Sequence, residues 1–355
     1  MEISFLKLIN YRNFAGLKIN FEPEGALIHG KNGIGKTNLL EAMSYIAFGK
    51  SFKTNHDTDL ISFSKDFFRI EGTFNFKNRK YSFETAVDKS KKIIRINKTN
   101  VLKTSELYKY LKVVYFSPED IAIIGGAPSF RRNFIDQATS QYSYEYIELL
   151  RIYSRILKQR NALLKTEFER SEKKTWDEQF VKYGVEIIKF RLKYLEKFIP
   201  ILIGYYSNIS GQKEKLNINY KYSFPVSGSD IQESLFEHLE KIEDQEIQQE
   251  RSLAGPHLDD IEFLINEHPA RNFGSHGQKR SLAIAARLVQ ANLIAQMDGD
   301  TPVLMFDDVL SDLDKYRAER ILQMLERTHQ IFITTPNIEI YKNFRLPEID
   351  LGNSK

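Results

Sequence analysis

Residues Gly30–Thr37, GKNGIGKT, constrain the fold more than any other stretch, because G-x-x-x-x-G-K-T works only where a strand passes into a helix. Both flanks comply. ALIH before it is a short apolar run. TNLLEAMSYIAF after it carries apolar residues at helical spacing, and Gly49 stands where such a helix stops. The glycines let backbone N–H groups wrap an anion, with the positive end of a helix behind them. Lys36 supplies a charge for β- and γ-phosphates and Thr37 a hydroxyl for Mg²⁺. The predicted nucleotide loop therefore comprises Gly30, Lys31, Asn32, Gly33, Ile34, Gly35, Lys36, Thr37 and Asn38.

A loop of this kind needs a carboxylate elsewhere in the chain to hold the magnesium. PVLMFDDVLSDLD provides one, as an apolar strand ending in Asp307 and Asp308. Asp307 is the expected Mg²⁺ partner and Asp308 the expected base for an attacking water. Ser311, Asp312 and Asp314 suit a helix cap. Upstream, NFGSHGQKRSLAIAARL puts Ser275, Gly277 and Gln278 in a turn that opens a helix. Such a turn offers N–H groups and a hydroxyl as a second phosphate-binding end, although an ordinary N-cap would also account for Ser275.

The patterning between these motifs predicts the organisation. Residues 2–9 and 17–21 alternate as half-buried strands do, and Phe67–Lys98 reads as an antiparallel meander. Residues 101–115 read as a short helix, starting near Thr104 or Ser105, and then the strand VVYF. From about Tyr142 to Gln249 apolar residues recur at three and four with dense charge between them. This predicts two or three long helices, an arm some tens of ångströms long at about 1.5 Å per residue. After Gly255 the α/β character returns, with a hairpin expected from DDIEFLIN and ARNF around NEHP.

Composition excludes several classes. A chain of 355 residues suggests two domains, and the absence of cysteine excludes disulfides, thiolate zinc sites and cysteine nucleophiles. No apolar run of about 18 residues predicts a membrane span, and the N-terminal stretch does not read as a signal peptide. A cytoplasmic setting is expected. The net charge of +4 permits nucleic-acid contact without demanding it. Lys89–Lys98 nevertheless holds Lys89, Lys91, Lys92, Arg95 and Lys98 with no acidic residue, and Arg131–Arg132 adds a basic pair. These are candidate DNA contacts. The plainer readings are a solvated strand edge and, for Arg131 and Arg132, a brace between arm and head. His257 and His268 read as structural.

The order of glycine loop, S-x-G-Q turn, Asp-Asp and S-D-L-D resembles the ABC-type ATPases. NYRNF, GKSFK (Gly49–Lys53), FSPED (Phe116–Asp120), PSFRRNFID (Pro128–Asp136) and GPHLDD (Gly255–Asp260) narrow the resemblance to the RecF family of bacterial recombination-repair ATPases. The resemblance implies an α/β fold: an ABC-type P-loop ATPase head with a mixed sheet and an antiparallel lobe. The head would comprise residues 1–125 and 250–355, with a helical arm domain, 126–249, inserted. It implies ATP and Mg²⁺ as cofactors and an ATP-dependent homodimer. Ser275, Gly277 and Gln278 of one copy would close on the nucleotide of the other, with Lys36 and Asp308 catalytic. Arg12 and Asn13 of NYRNF would join the nucleotide site. Gapped or double-stranded DNA, RecR and RecO are the implied partners, RecA is implied indirectly through its loading, and no membrane is involved. The setting would be cytoplasmic and nucleoid-associated. There are departures. Leu258 stands where arginine is expected, His276 where glutamine is usual, and FSPED lacks a metal-sensing glutamine, for which Glu119 is the candidate substitute. Asp308 stands where many ABC ATPases carry glutamate, which predicts slow hydrolysis and a switch-like use of ATP. The competing classes are an ABC-transporter ATPase subunit and an SMC-like nuclease, the latter expected to carry a further acidic domain.

Overall fold

Alternating apolar residues make β1 (Glu2–Tyr11) and β2 (Phe14–Asn20) an antiparallel hairpin, with Leu6, Leu8 and Leu17 buried and Arg12–Asn13 at the tip. The computed structural model describes the chain except residues 228–229, 312, 326–328, 342–345 and 353–355, and the side chains of 105, 339 and 340. β3 (Gly25–His29) runs into the glycine loop and α1 (Lys36–Phe48), which ends at Gly49 in the left-handed conformation, φ 62°. The meander follows as β4 (Phe67–Phe76), β5 (Arg79–Asp88), β6 (Lys92–Ile96) and the two-residue β7 (Thr99–Asn100). With the hairpin it forms one antiparallel sheet, ordered β2-β1-β4-β5-β6-β7. Thr104–Lys109 is the expected short helix, in 3₁₀ form, with the Lys103 N–H donating to Glu106 at its start. β8 (Val113–Phe116) leads out of it.

The central region holds α2 (Ile121–Gly125), α3 (Pro128–Tyr142), α4 (Tyr144–Leu163) and α5 (Arg170–Ser210). It continues through β9 (Leu216–Lys221), α6 (Ile231–Lys241), α7 (Glu243–Gln249), β10 (Asp260–Ile265), β11 (His268–Pro269) and α8 (Ala270–Phe273). α9 (His276–Asp298), β12 (Val303–Asp307), α10 (Lys315–Met324), β13 (Ile331–Thr335) and β14 (Glu348–Asp350) complete the described elements. Two details depart from the sequence reading. ARNF is helix α8, so the hairpin partner of β10 is only His268–Pro269. A strand, β9, interrupts the helical stretch and pairs with β10 from Leu216↔Ile265 to Lys221↔Asp260.

Contacts divide the chain into two compact units, Met1–Asp120 with Ile284–Lys355, and Ile121–Ala283. The second unit extends past residue 249, where the sequence reading closes the arm, because β9 holds the β10 hairpin in register. In the first unit β3, β8, β12, β13 and β14 form a parallel sheet ordered β14-β3-β13-β12-β8. Every residue of β12 and β13 is buried, as strands covered on both faces are. β13 alone separates β3 from β12, so the glycine loop and Asp307 emerge together at the carboxyl end of the sheet, where open parallel sheets gather ligands. The second unit packs its own apolar core around Tyr146, Tyr153, Phe180, Val185, Ile188 and Leu235.

Candidate nucleotide site

The loop's shape depends on glycine. Gly30, Gly33 and Gly35 have φ of 142°, 79° and 114°, a region side-chain-bearing residues rarely enter. At Gly35 a Cβ would fall 2.6 Å from Asn13 Nδ2 and 2.9 Å from the Phe14 ring. Asn13 fills that space because it frames the loop. Its amide donates to the Ile34 carbonyl at 2.7 Å and accepts from Asn38 at 2.9 Å. Arg12 is turned away onto Glu41, with Nε and Nη2 donating at 3.0 and 2.9 Å and Nη1 reaching the Asp59 carbonyl at 3.2 Å. Glu41 is fully buried on α1, and its hydrogen bond holds the Arg12 guanidinium above its usual pKa. Both tip residues thus fasten the hairpin to the loop and its helix. Lys31, Asn32 and Gly33 form the exposed crest of the loop, and Ile34 packs onto the core beneath.

Inside the loop, Lys36 Nζ donates to the carbonyls of Gly30 and Lys31 at 2.7 and 3.2 Å. Burial lowers its pKa, and the charges of Asp308 and Asp307 oppose that shift. Thr37 Oγ1 donates to Asp307 Oδ1 at 2.9 Å, so the two side chains that the sequence reading assigns to Mg²⁺ lie side by side. Two residues that sequence reasoning missed complete the carboxylate's surroundings. Thr334 Oγ1 donates to the same oxygen at 2.7 Å and Tyr115 OH to Oδ2 at 2.7 Å. Their signal was faint: each is a polar group near the end of an otherwise apolar strand, and strand pairing sets Thr334 opposite Asp307. Asp308 has φ 52°, its N–H donates to the Thr334 carbonyl at 3.1 Å, and its carboxylate accepts from the Ser311 hydroxyl. Left-handed backbone at a non-glycine residue is the kind of local strain that collects at functional sites. Asp314 caps α10 by accepting from the Arg317 N–H at 2.9 Å, and Asp312 lies outside the described residues. Glu119 is exposed on the turn Pro118–Asp120, while its neighbour Asp120 is held by Arg287 at 2.6 Å.

A triphosphate and Mg²⁺ fit this donor set. Left-handed glycines, an enclosed ammonium and a helix N-terminus suit phosphate oxygens. Among the described residues no three His, Cys, Asp or Glu side chains converge. A metal here would lean on the Thr37 hydroxyl, one carboxylate, waters and the ligand's own oxygens, which is the habit of Mg²⁺.

The Ser275–Gln278 turn, which the sequence reading offers as a second phosphate-binding end, belongs to the other unit and is a reciprocal cap. Gln278 N–H donates to Ser275 Oγ at 3.2 Å, and Ser275 N–H donates to Gln278 Oε1 at 2.8 Å. This capping box opens α9. Ser275 is exposed, and a Cβ at Gly277 would meet nothing within 4 Å, so the turn presents a small, open face.

The family model for the RecF/RecN/SMC N-terminal domain matches residues 2–347. A protein of Desulfitobacterium hafniense named DNA replication and repair protein RecF is 33% identical over 347 residues, covering 96% of this chain and 94% of its own. One of the same name from Staphylococcus carnosus is 32% identical, covering 99% of each. The chain belongs to the RecF family. Among solved structures, one described as the recombination mediator protein RecF-ATPrS in the RecFOR pathway superposes with a TM-score of 0.88 at 31% identity. It covers 99% of this chain and 96% of that one. A RecF-ATP structure of the same pathway gives 0.85 at 33%, covering 95% and 94%. An SMC head bound to a ScpA domain gives 0.56 at 15%, covering 96% and 90%, a likeness of fold alone. The fold is that of the ABC-type ATPase head.

The PSFRRNFID and GPHLDD stretches and the Lys89–Lys98 cluster make the following contacts. Arg131 is 3% exposed, donating to Asp260 at 2.7 and 2.9 Å and to the Gly126 carbonyl at 3.0 Å. Arg132 donates to the Asp259 carbonyl at 2.7 Å. Both pairings lie within the second unit, where Arg131 is buried and Arg132 half-buried. Lys92 also turns inward: it caps the end of α1 at the Gly49 carbonyl and pairs with Asp57 at 2.7 Å. Arg95 is held by Asn100 at 3.1 Å and Glu84 at 3.5 Å. Lys89, Lys91 and Lys98 are exposed, Lys89 with a loose pairing to Asp66 at 3.4 Å. In GPHLDD, Gly255 has φ 119° and leaves room for Phe180 and Tyr153, while Pro256 accepts from Arg191 at 2.6 Å. His257 bonds Tyr153 OH at 2.9 Å, and the fully buried Asp259 accepts from Tyr220 at 2.6 Å. Leu258, where arginine is expected, is exposed.

Proposed function

We propose that this RecF-family chain is an ATP-dependent DNA-binding switch of recombinational repair. ATP binds at Gly30–Asn38, and the Ser275–Gln278 turn of a second copy closes on it. The closed dimer holds gapped or double-stranded DNA, and slow hydrolysis reopens it. The observation that carries the reading is the Thr37–Asp307 contact beside Lys36, which joins the two halves of a phosphate site across the chain. The RecF-ATP and RecF-ATPrS relatives lend it support.

Thr37 and Asp307 would hold Mg²⁺, which when bound neutralises charge on the phosphate oxygens. Lys36 sits among the loop carbonyls, ready to exchange them for phosphate oxygens. Asp308 accepts a proton from the attacking water, with Ser311 holding its carboxylate. Its side chain is one methylene shorter than glutamate, and catalysis is sensitive to such misplacement, so turnover is slow. Within the Lys89–Lys98 cluster, the exposed Lys89, Lys91 and Lys98 would meet a phosphate backbone. RecR and RecO are the expected collaborators in loading RecA, by analogy with the RecFOR pathway of the solved relatives.

The test is fluorescence anisotropy of a labelled gapped duplex with and without ATP and Mg²⁺, comparing wild type with Ser275→Arg. The reading expects binding that needs ATP and is lost in Ser275→Arg, while nucleotide affinity stays near wild type. Binding indifferent to both ATP and the substitution overturns the clamp.

A further inference from the structure

The GKSFK stretch, Gly49–Lys53, contains no residue of the expected nucleotide site, yet it touches that site's supports at three points. Ser51 Oγ donates to Glu41, the buried partner of Arg12. Lys53 Nζ donates to Asn38 Oδ1 at 3.2 Å, and Asn38 in turn donates to Asn13 at 2.9 Å. Between them Phe52 stacks on Tyr115, ring centroids 4.0 Å apart and planes at 29°. Tyr115 is the residue whose hydroxyl donates to Asp307 Oδ2. Phe52 itself is 38% exposed. An aromatic left that open gains little from burial, so its stacking on Tyr115 is the more telling contact.

We infer that Tyr115, braced by Phe52, is a positioning residue for the magnesium-binding carboxylate. The inference rests on the nucleotide site proposed above. Asp307 Oδ1 already accepts from Thr37 and Thr334 at 2.9 and 2.7 Å. Those two donors fix one oxygen and leave the carboxylate free to rock about it. The Tyr115 hydroxyl on Oδ2 removes that freedom, so the lone pairs that remain point in one direction. A carboxylate oxygen has two lone pairs, and the tyrosine uses one of them. The hydrogen bond therefore orients Oδ2 without closing it to a metal-bound water. Hydrogen bonds to the groups around a metal commonly change its affinity by about 10- to 100-fold. The strand carrying Tyr115 runs straight into FSPED, which lacks the metal-sensing glutamine, and Tyr115 is the side chain this segment sends to Asp307.

Binding of a fluorescent ATP analogue, titrated with Mg²⁺ and repeated in EDTA, tests this in wild type, Tyr115→Phe and Phe52→Leu. Tyr115→Phe keeps the ring and its stacking and removes only the hydroxyl. It should raise the Mg²⁺ midpoint roughly 10-fold while leaving affinity in EDTA unchanged. Phe52→Leu should shift the midpoint in the same direction by less. Mn²⁺ electron paramagnetic resonance with the non-hydrolysed analogue gives a second readout, independent of turnover, and should show the same weakening. A Tyr115→Phe midpoint within twofold of wild type overturns the inference. So does an equal loss of affinity with and without Mg²⁺, which would make Tyr115 a packing residue. A wild-type chain that binds no nucleotide defeats the ATP reading as well as this one.

Discussion

Thr37 Oγ1 and Asp307 Oδ1 lie 2.9 Å apart although 270 residues separate them in the chain. The contact exists because β3 and β12 flank β13 in one parallel sheet, so the loop after one strand meets the end of the other. Thr37→Val, close in shape but without the hydroxyl, should abolish the Mg²⁺-dependent part of ATP binding and spare the part seen in EDTA. Calorimetric titration with and without Mg²⁺ separates the two; an unchanged Mg²⁺ dependence would remove Thr37 from the metal site.

Gly35→Ala should cost about 1–3 kcal/mol of stability and at least tenfold in nucleotide affinity. The new Cβ meets Asn13 at 2.6 Å with φ at 114°. Gly16→Ala is the control, since a Cβ there meets nothing within 4 Å and no positive φ is required. Equal melting temperatures for the two variants would contradict the steric account.

Arg160 is fully buried in the second unit. It donates to Asp177 at 2.7 Å, to Glu246 at 3.1 and 2.5 Å and to Ser252 at 2.7 Å, and its guanidinium lies 4.9 Å from the centre of the Phe180 ring. Arg160→Met leaves the buried Glu246 without its cation, while Asp177 keeps Lys173 at 2.7 Å, and should destabilise by about 3–5 kcal/mol in urea unfolding. Adding Glu246→Gln should recover part of that loss. No recovery would mean that packing, not charge, is what Arg160 contributes.

Burial pushes the His257 pKa down to about 4, helped by the nearby charges of Arg132, Arg160 and Arg191 and opposed by a hydrogen bond with Ser252. The unfolded chain binds this proton near pH 6.5, and the folded chain only near 4. Stability is therefore unaffected above about pH 6.5 and falls as pH drops from there towards 4, by roughly 3 kcal/mol at most. Urea unfolding across that range should show the decline in wild type and a shallower one in His257→Asn. Identical slopes would assign the acid sensitivity to other groups.

Replacing Lys89, Lys91 and Lys98 together with alanine should weaken DNA binding and flatten its salt dependence, by about 0.9 in slope for each phosphate no longer neutralised. Lys92→Ala should instead lower the melting temperature, because Lys92 caps α1 and pairs with Asp57. A lowered salt slope in Lys92→Ala with unchanged stability would reverse these assignments.

Local chemistry made much of this protein legible in its sequence. The glycine spacing, the apolar strand before it and the helix after it announce Lys36 and Thr37, since a phosphate cradle depends on backbone conformations that only glycine adopts freely. Asp307 and Asp308 stand out as acids closing an apolar strand, and Ser275–Gln278 as a helix opening. Period-two alternation in the β4–β6 meander has the same local origin. β9 was legible in principle, since LNINYK alternates, but helical periodicity on both sides masked it.

Tertiary structure decided the fate of each charge. Lys91 and Lys92 are neighbours of identical type, yet one is exposed and the other closes a helix end. Arg131 looks like a surface cation until β10 brings Asp260 to it. Tyr115 and Thr334 joined the site only when the parallel sheet set their strands beside β12. A hydrogen bond or ion pair depends on distance in space, and a sequence supplies only distance along the chain. Residue types and spacing therefore fixed which chemistry was available here, and strand order decided which residues carry it.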